Sequence, residues 1–506
     1  MSTAPVAPGA AAHRPQPSQT AHHPQSSPQS PPQSHPQPLP QSPPPPPVLG
    51  PPRPPWWPAP AGRVPWALAV GALLAGLLAA LTLPGARAGL PLTLLLLTAA
   101  AVVVLGRRGR RRLPVDLTLT IPAVGLALVP TVRAEALLVV LAALTSVGLL
   151  AVLAFERTRW AWLVVAPALL PAAAVRGVAW LVARPPVDVR RPGHPGAWLA
   201  GGWAGVLVVV VLVALLASAD AAFARLVRLP LPDGLGWRVV LGLLVVSLLL
   251  GLGTATAPPR PERVQVGRAA SPVEWVLPLL GADAVLAVFL AVQGVVLVDA
   301  EAALAGTGVT PAAWAREGFG QLVAVTVLVL LTLGWAVRRS EPAVTRQRRL
   351  LQGGGGLLSL LALGVVASAL SRMALYADRF GGTTMRLYVV VFELWLAVVV
   401  VLVALTWLRG RADRLPRAVL ATAAWVLLGL GAVGPDAVVA RYAVDRFERT
   451  DAVDTTYLST LSADAVPALR DLPEPERSAA LQQWQGAEDP WYAVNVSRLR
   501  AATLLG

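Results

Sequence analysis

Eleven stretches of about twenty apolar residues follow one another between residues 64 and 438, and nothing else in this chain limits its fold so tightly. They are Val64–Leu83, Ala88–Leu105, Asp116–Val132, Ala136–Phe155, Ala197–Ser218, Trp237–Ala255, Val273–Val298, Phe319–Val337, Gly356–Tyr376, Leu387–Leu408 and Ala418–Val438. A helix rising 1.5 Å per residue needs about 20 residues to cross a hydrocarbon layer of about 30 Å. Inside lipid the backbone has no water to bond, so helices that satisfy their own N–H and C=O groups are the form these runs must take. Composition agrees. The 506 residues are 55% apolar and 14% charged, against about 25% charged in soluble domains. The expected fold is all-α, a polytopic transmembrane helix bundle of about 11–12 spans. A twelfth apolar run, Trp160–Val182, holds Arg176, Pro167 and Pro171 and has arginines on both flanks. It reads as a re-entrant or interfacial helix pair rather than a span.

Several chemistries drop out at once. The chain has no cysteine, hence no disulfide, iron–sulfur cluster, thiolate zinc site or cysteine nucleophile. His13, His22, His23 and His35 lie in a proline-rich N-terminal segment and His194 in a loop, so no histidine is left in the spans for haem, metal or serine–histidine chemistry. No metal and no cofactor is expected. The net charge of +15 does not mean nucleic acid. All 42 basic residues are arginine, a bias that together with alanine and proline resembles GC-rich bacterial coding, and they gather in short loops between apolar runs. That is how a membrane protein places its positive charge, and the partner it implies is the lipid bilayer.

The arginines also give an orientation. Loops 106–115, 156–159, 183–196, 256–271, 338–353 and 409–417 carry 22, whereas loops 84–87, 133–135, 219–238, 299–318 and 372–386 carry nine. The first set is expected in the cytoplasm of a bacterial cell, beneath its inner membrane. With eleven spans the N-terminus is then cytoplasmic and the C-terminus extracytoplasmic. From Asp436 onward eleven acids face seven arginines, a balance opposite to that of the cytoplasmic loops.

Three regions follow. Residues 1–62 hold 22 prolines, seven glutamines and no acid, and form a disordered tail. Pro43–Pro47 and the run from Pro51 to Pro58 around Trp56 and Trp57 could dock in an aromatic groove of a cytoplasmic partner, or the two tryptophans could rest among the headgroups. Residues 63–438 are the transmembrane bundle. Residues 439–506 form an amphipathic helical tail, with Ser462 as N-cap of a helix to Leu469 and Pro473 and Pro475 opening a second helix, Glu476–Gln485. Leu481, Trp484, Trp491 and Leu499 give that tail apolar surface for packing on the bundle. Asn495-Val496-Ser497 is a chance sequon.

A polar group in lipid is costly and marks a site by default. Asp283 falls about 15 Å into its span and Glu393 about 10 Å below the outer end of its own. Arg372 sits near an outer end. Arg316 and Glu317 follow Thr310-Pro311 on a helix entering from outside. With Arg386 and Asp220 these residues are the candidates for an outward-facing polar cavity. The alternative is internal ion pairs that fix helix packing. Arg316 and Glu317 stand about 100° apart on a helix, so Arg316 is expected to face the bundle and pair with Glu393 or Asp220. The four-glycine run Gly353–Gly356 reads as a flexible lead-in to the next span.

Four blocks resemble one bacterial membrane family, the group of domains of unknown function numbered 4153/4173. They are Leu216–Leu226, Trp314–Leu322, Leu375–Tyr388 and Tyr457–Leu469, and they come in the family's order. Gly382 and Ala443 depart from its pattern. The resemblance implies a multi-pass inner-membrane protein and supplies no activity. All four blocks fall at or near the outer face in the topology above. That favours a non-enzymatic role in transport or the cell envelope, with a polar site on the extracytoplasmic side. A scaffold acting through its proline-rich tail, and an enzyme on a lipid-linked envelope substrate using Asp220, Arg316 and Glu317, are the other readings.

Overall fold

The computed structural model describes residues 62–85, 87–108, 116–155, 166–183, 234–255, 272–298, 319–340, 344–409, 414–484 and 489–505. The proline-rich segment and the run Ala197–Ser218 lie outside them. Every regular element among the described residues is helical: α1 Trp66–Thr82, α2 Leu90–Arg108, α3 Leu117–Val132, α4 Ala136–Phe155, α5 Leu170–Ala183, α6 Leu235–Ala255, α7 Pro272–Val298, α8 Phe319–Arg339, α9 Thr345–Phe380, α10 Thr384–Arg409, α11 Leu415–Val433, α12 Pro435–Thr450 and α13 Val496–Leu505, with short helical turns between the last two. Seven of them, α4 and α6–α11, are long and apolar enough to cross a membrane. The apolar parts of α1, α2 and α3 are shorter than their sequence runs. Helix α1, for example, starts only after Pro65 and spans about 25 Å. Helix α5, at 14 residues, reaches about 21 Å, less than the hydrocarbon thickness.

Two apolar cores fill the bundle. One is built by α1–α6 with Ala424 and Leu430 of α11. The other is built by α7–α10 with Val419 of α11, so α11 belongs to both. Small residues set the closest crossings, as expected where lipid gives helices no hydrophobic reason to associate. A Cβ on Gly76 would lie 2.7 Å from the carbonyl oxygen of Gly242, and one on Gly251 would lie 2.5 Å from the backbone of Ala173. The opposite faces expose Leu74, Leu77, Val285, Val288 and Leu331, an apolar flank that water would not tolerate and lipid covers.

The connections sort to two ends. At one, Arg417 at the start of α11 meets Asp116 before α3 at 2.5 Å, and Arg339 at the end of α8 meets Glu274 at the start of α7 at 4.0 Å. At the other, Arg238 donates to the carbonyls of Ala80 and Leu81, and the amide of Leu90 donates to Val494 of the C-terminal tail.

Three local readings need correction. Gly353–Gly356 is no lead-in but part of the unbroken 36-residue helix α9. Of these glycines Gly354 is where α7 packs, with Leu279 in the space its Cβ would take, while a Cβ on Gly353 or Gly356 would meet nothing within 4 Å. The last span ends at Val433, not Val438. Gly434, at φ +80°, closes it and Pro435 opens α12, the usual glycine-stop and proline-start order. In the tail Leu481 is buried and Trp484 half-buried, but Trp491 is 89% exposed and Leu499 is exposed too.

Candidate functional site

The second core carries four ionisable or amide side chains where lipid-facing sequence logic asks for none. Ser368 and Arg372 stand one turn apart on α9. Both donate to the same acceptor, Gln293 Oε1 of α7, at 3.1 Å from Ser368 Oγ and 2.7 Å from Arg372 Nη2. All three are more than nine-tenths buried. Arg372 lies about 12 Å below the tail end of α9. Glu393 of α10 has 0% exposure, and neither of its carboxylate oxygens has a hydrogen-bond partner among the described residues. The same holds for both oxygens of Asp283 on α7, at 5% exposure. Among the described residues the structure brings Arg372 to the amide of Gln293. It leaves the two acids in apolar surroundings.

A second polar constellation joins the tail to the bundle. Its centre is Asp464, which a short 3₁₀ turn after Ser462 points at the connection between α3 and α4. Asp464 Oδ2 accepts from the amides of Ala134 at 2.9 Å and Glu135 at 3.2 Å and from Ser462 Oγ, while Oδ1 accepts from Ser497 Oγ and, at 3.4 Å, from Arg133 Nη1. Arg133 also holds the last carbonyls of α11, Gly431 and Ala432. It occupies the place of a Gly434 side chain, 2.7 Å from where a Cβ would stand. Glu135 caps α4 by accepting from the amides of Leu137 and Leu138, and takes a 2.5 Å bond from Tyr388 Oη of α10. Asp436 accepts from Thr384 Oγ1 and the Ser462 amide, both at 2.7 Å, and Tyr457 Oη receives the Thr384 amide. Asn495, 1% exposed, donates to the carbonyls of Pro130 and Arg133, so the sequon asparagine is an internal anchor. Every polar side chain in this joint has its partners, which makes it a structural latch rather than a reactive site.

Of the sequence candidates, Asp220, Arg316 and Glu317 lie outside the described residues, and with them the expected pairing of Arg316. Arg386 stays at the tail end. It donates to Gly381 O and lies over the Tyr376 ring, 4.5 Å from its centroid, far from Asp283 in the bundle interior. Reading the sequence missed Gln293, Glu135, Asp436 and the central place of Asp464. The signal of the three acids was weak, because polar residues at helix ends are ordinary; Gln293, uncharged within its apolar run, was passed over beside the charged residues. Tyr388, Tyr457 and Asp464 did sit in the third and fourth blocks of the resemblance, and those blocks meet in the latch. Among the described residues no group of three or more His, Asp or Glu could hold a metal ion.

A helical bundle with lipid-ready flanks and polar side chains buried at depth defines a multi-pass membrane protein. A family model described as Domain of unknown function (DUF4153) matches residues 120–472, from within α3 to the part of the tail that holds Asp464. The match takes in more than half of the chain, which belongs to that family. No curated protein matches the chain, and no solved structure does either.

Proposed function

We propose that this is a transporter of the bacterial inner membrane, with the arginine-rich end in the cytoplasm and the latched C-terminal tail on the extracytoplasmic side. It takes up or passes a small polar solute through a site that opens toward the tail. The observation that carries the reading is Glu393, wholly buried in a lipid-crossing helix with no partner for its oxygens among the described residues. A carboxyl group is expensive there and marks a route for polar matter. The Gln293–Ser368–Arg372 group between α7 and α9, near the tail end, supplies the mouth of that route.

The chain has no cysteine, so a single introduced thiol reports cleanly. Ser368→Cys in whole cells should react with a charged, membrane-impermeant thiosulfonate added outside, although the side chain is buried in the bundle. Failure to react from outside, and equally in inverted vesicles, would mean a sealed interior. The chain would then be a scaffold.

A further inference from the structure

We propose that Asp283 and the glycine face of α9 form a proton-binding site in the middle of the bundle. The carboxyl group stands about 17 Å from the start of α7 and about 23 Å from its end. It points inward. Leu279 and Leu286, one turn to either side, are buried in the second core, whereas Val285 and Val288 on the other flank are exposed to lipid. What it meets on α9 is Gly354: a Cβ there would be 3.8 Å from Asp283 Oδ2. An added methyl there would only touch the carboxyl group; the place it would take is that of Leu279, 2.9 Å away. Neither oxygen has a hydrogen-bond partner among the described residues. Ser359, the nearest hydroxyl along α9, is spent on the Gly355 carbonyl at 2.7 Å.

The charges around it select the ligand. Helix α9 has no ionisable residue between Leu350 and Ser371, and α8 has none between Phe319 and Val337. Arg372 is about 27 Å from Gly354 along α9. Arg349 is exposed at the arginine-rich end, and Glu274 pairs there with Arg339. No fixed cation from these helices serves Asp283, and a metal ion would need several oxygen ligands, for which no acid or histidine cluster exists among the described residues. The proton is the one cation that a lone carboxyl group binds without further ligands, and it turns the group neutral in an apolar setting. The same face of α7 carries two more polar stations. Gln293 lies toward the tail. Trp275 lies toward the arginine-rich end, with its buried indole N–H unpartnered among the described residues. A proton at Asp283 therefore sits between two further buried polar side chains along α7. The inference deepens the transport reading by naming the coupling ion, but its test does not depend on transport.

The test is infrared spectroscopy of the full chain in lipid nanodiscs, with isotope-labelled aspartate carboxyls. The expected result is a protonated-carboxyl carbonyl band that carries the aspartate isotope shift, persists above the pH range in which exposed aspartates ionise and is lost only as pH rises further. It should be absent in Asp283→Asn and indifferent to replacing choline by sodium. Should Asp283→Asn fail to fold, the isotope shift and that persistence together still mark a buried aspartate in the unaltered chain, apart from Glu393 and from the exposed aspartates. No shifted band above that range would overturn the proposal, as would a band that sodium abolishes at fixed pH. A band present while Ser368→Cys stays unreactive would refute the transport reading and leave the proton site standing.

Discussion

Asp464→Ala is expected to release the C-terminal tail from the bundle. The substitution removes one side chain that accepts from Ala134, Glu135, Ser462, Ser497 and Arg133 together. Its carboxylate is fully buried, so the guanidinium of Arg133 loses a desolvated partner, a class of change that costs about 3–5 kcal/mol. Two amides at the start of α4 are orphaned as well, at about 1–3 kcal/mol each, although costs within one network do not add. Taking about 3 kcal/mol, the undocked state becomes on the order of a hundredfold more populated. Tryptic cleavage within residues 439–505 of the detergent-solubilised chain should speed up by a similar factor, while the transmembrane part stays intact. An unchanged digestion pattern would mean that the apolar contacts of Val439, Leu458, Leu461 and Leu469 hold the tail without the latch.

The second large effect concerns the crossing of α5 and α6. A methyl group on Gly251 would stand 2.5–2.6 Å from Ala173 C, Ala173 O and Ala174 N, all backbone atoms that no rotamer change can move. Gly251→Ala must therefore push α5 outward, at an overpacking cost of about 1–3 kcal/mol or more. The shift also strains the bond from Trp180 Nε1 to Gly62 O that ties α5 to the start of α1. Gly148→Ala in α4 is the matched control, because nothing lies within 4 Å of its added methyl. There the gain in helix propensity, up to about 1 kcal/mol, should dominate. Thermal melting in detergent should fall for the first variant and hold or rise for the second. Equal melting temperatures would contradict the close crossing.

These residues also show where sequence reading succeeds in such a protein. Lipid makes every polar residue conspicuous, so Asp283, Arg372 and Glu393 stand out in the bare sequence, and all three proved buried. The meeting of Arg372 with Gln293 was not legible, because which side chains meet depends on helix register, and a helix turned by one residue moves its contacts through about 100°. Gly353–Gly356 misled for a related reason. In water four glycines weaken a helix, whereas in the packed bundle the run stays helical, and at Gly354 the absent side chain leaves room for Leu279 of α7. The Gly434-Pro435 pair did announce the end of the last span, but the apolar residues up to Val438 masked it. The latch stayed hidden because its acids lie at helix ends, where polar side chains are common and hydropathy carries no signal.

The proposed orientation turns on which face of the membrane holds the tail. Thiols introduced singly as Ser2→Cys and Gly506→Cys, into a chain that has none of its own, test it directly. Labelling by a membrane-impermeant maleimide in intact cells should mark Gly506→Cys at once and Ser2→Cys only after the membrane is opened. Protection of both until lysis would put the tail in the cytoplasm and contradict the proposed orientation of the bundle, its latch and its polar mouth.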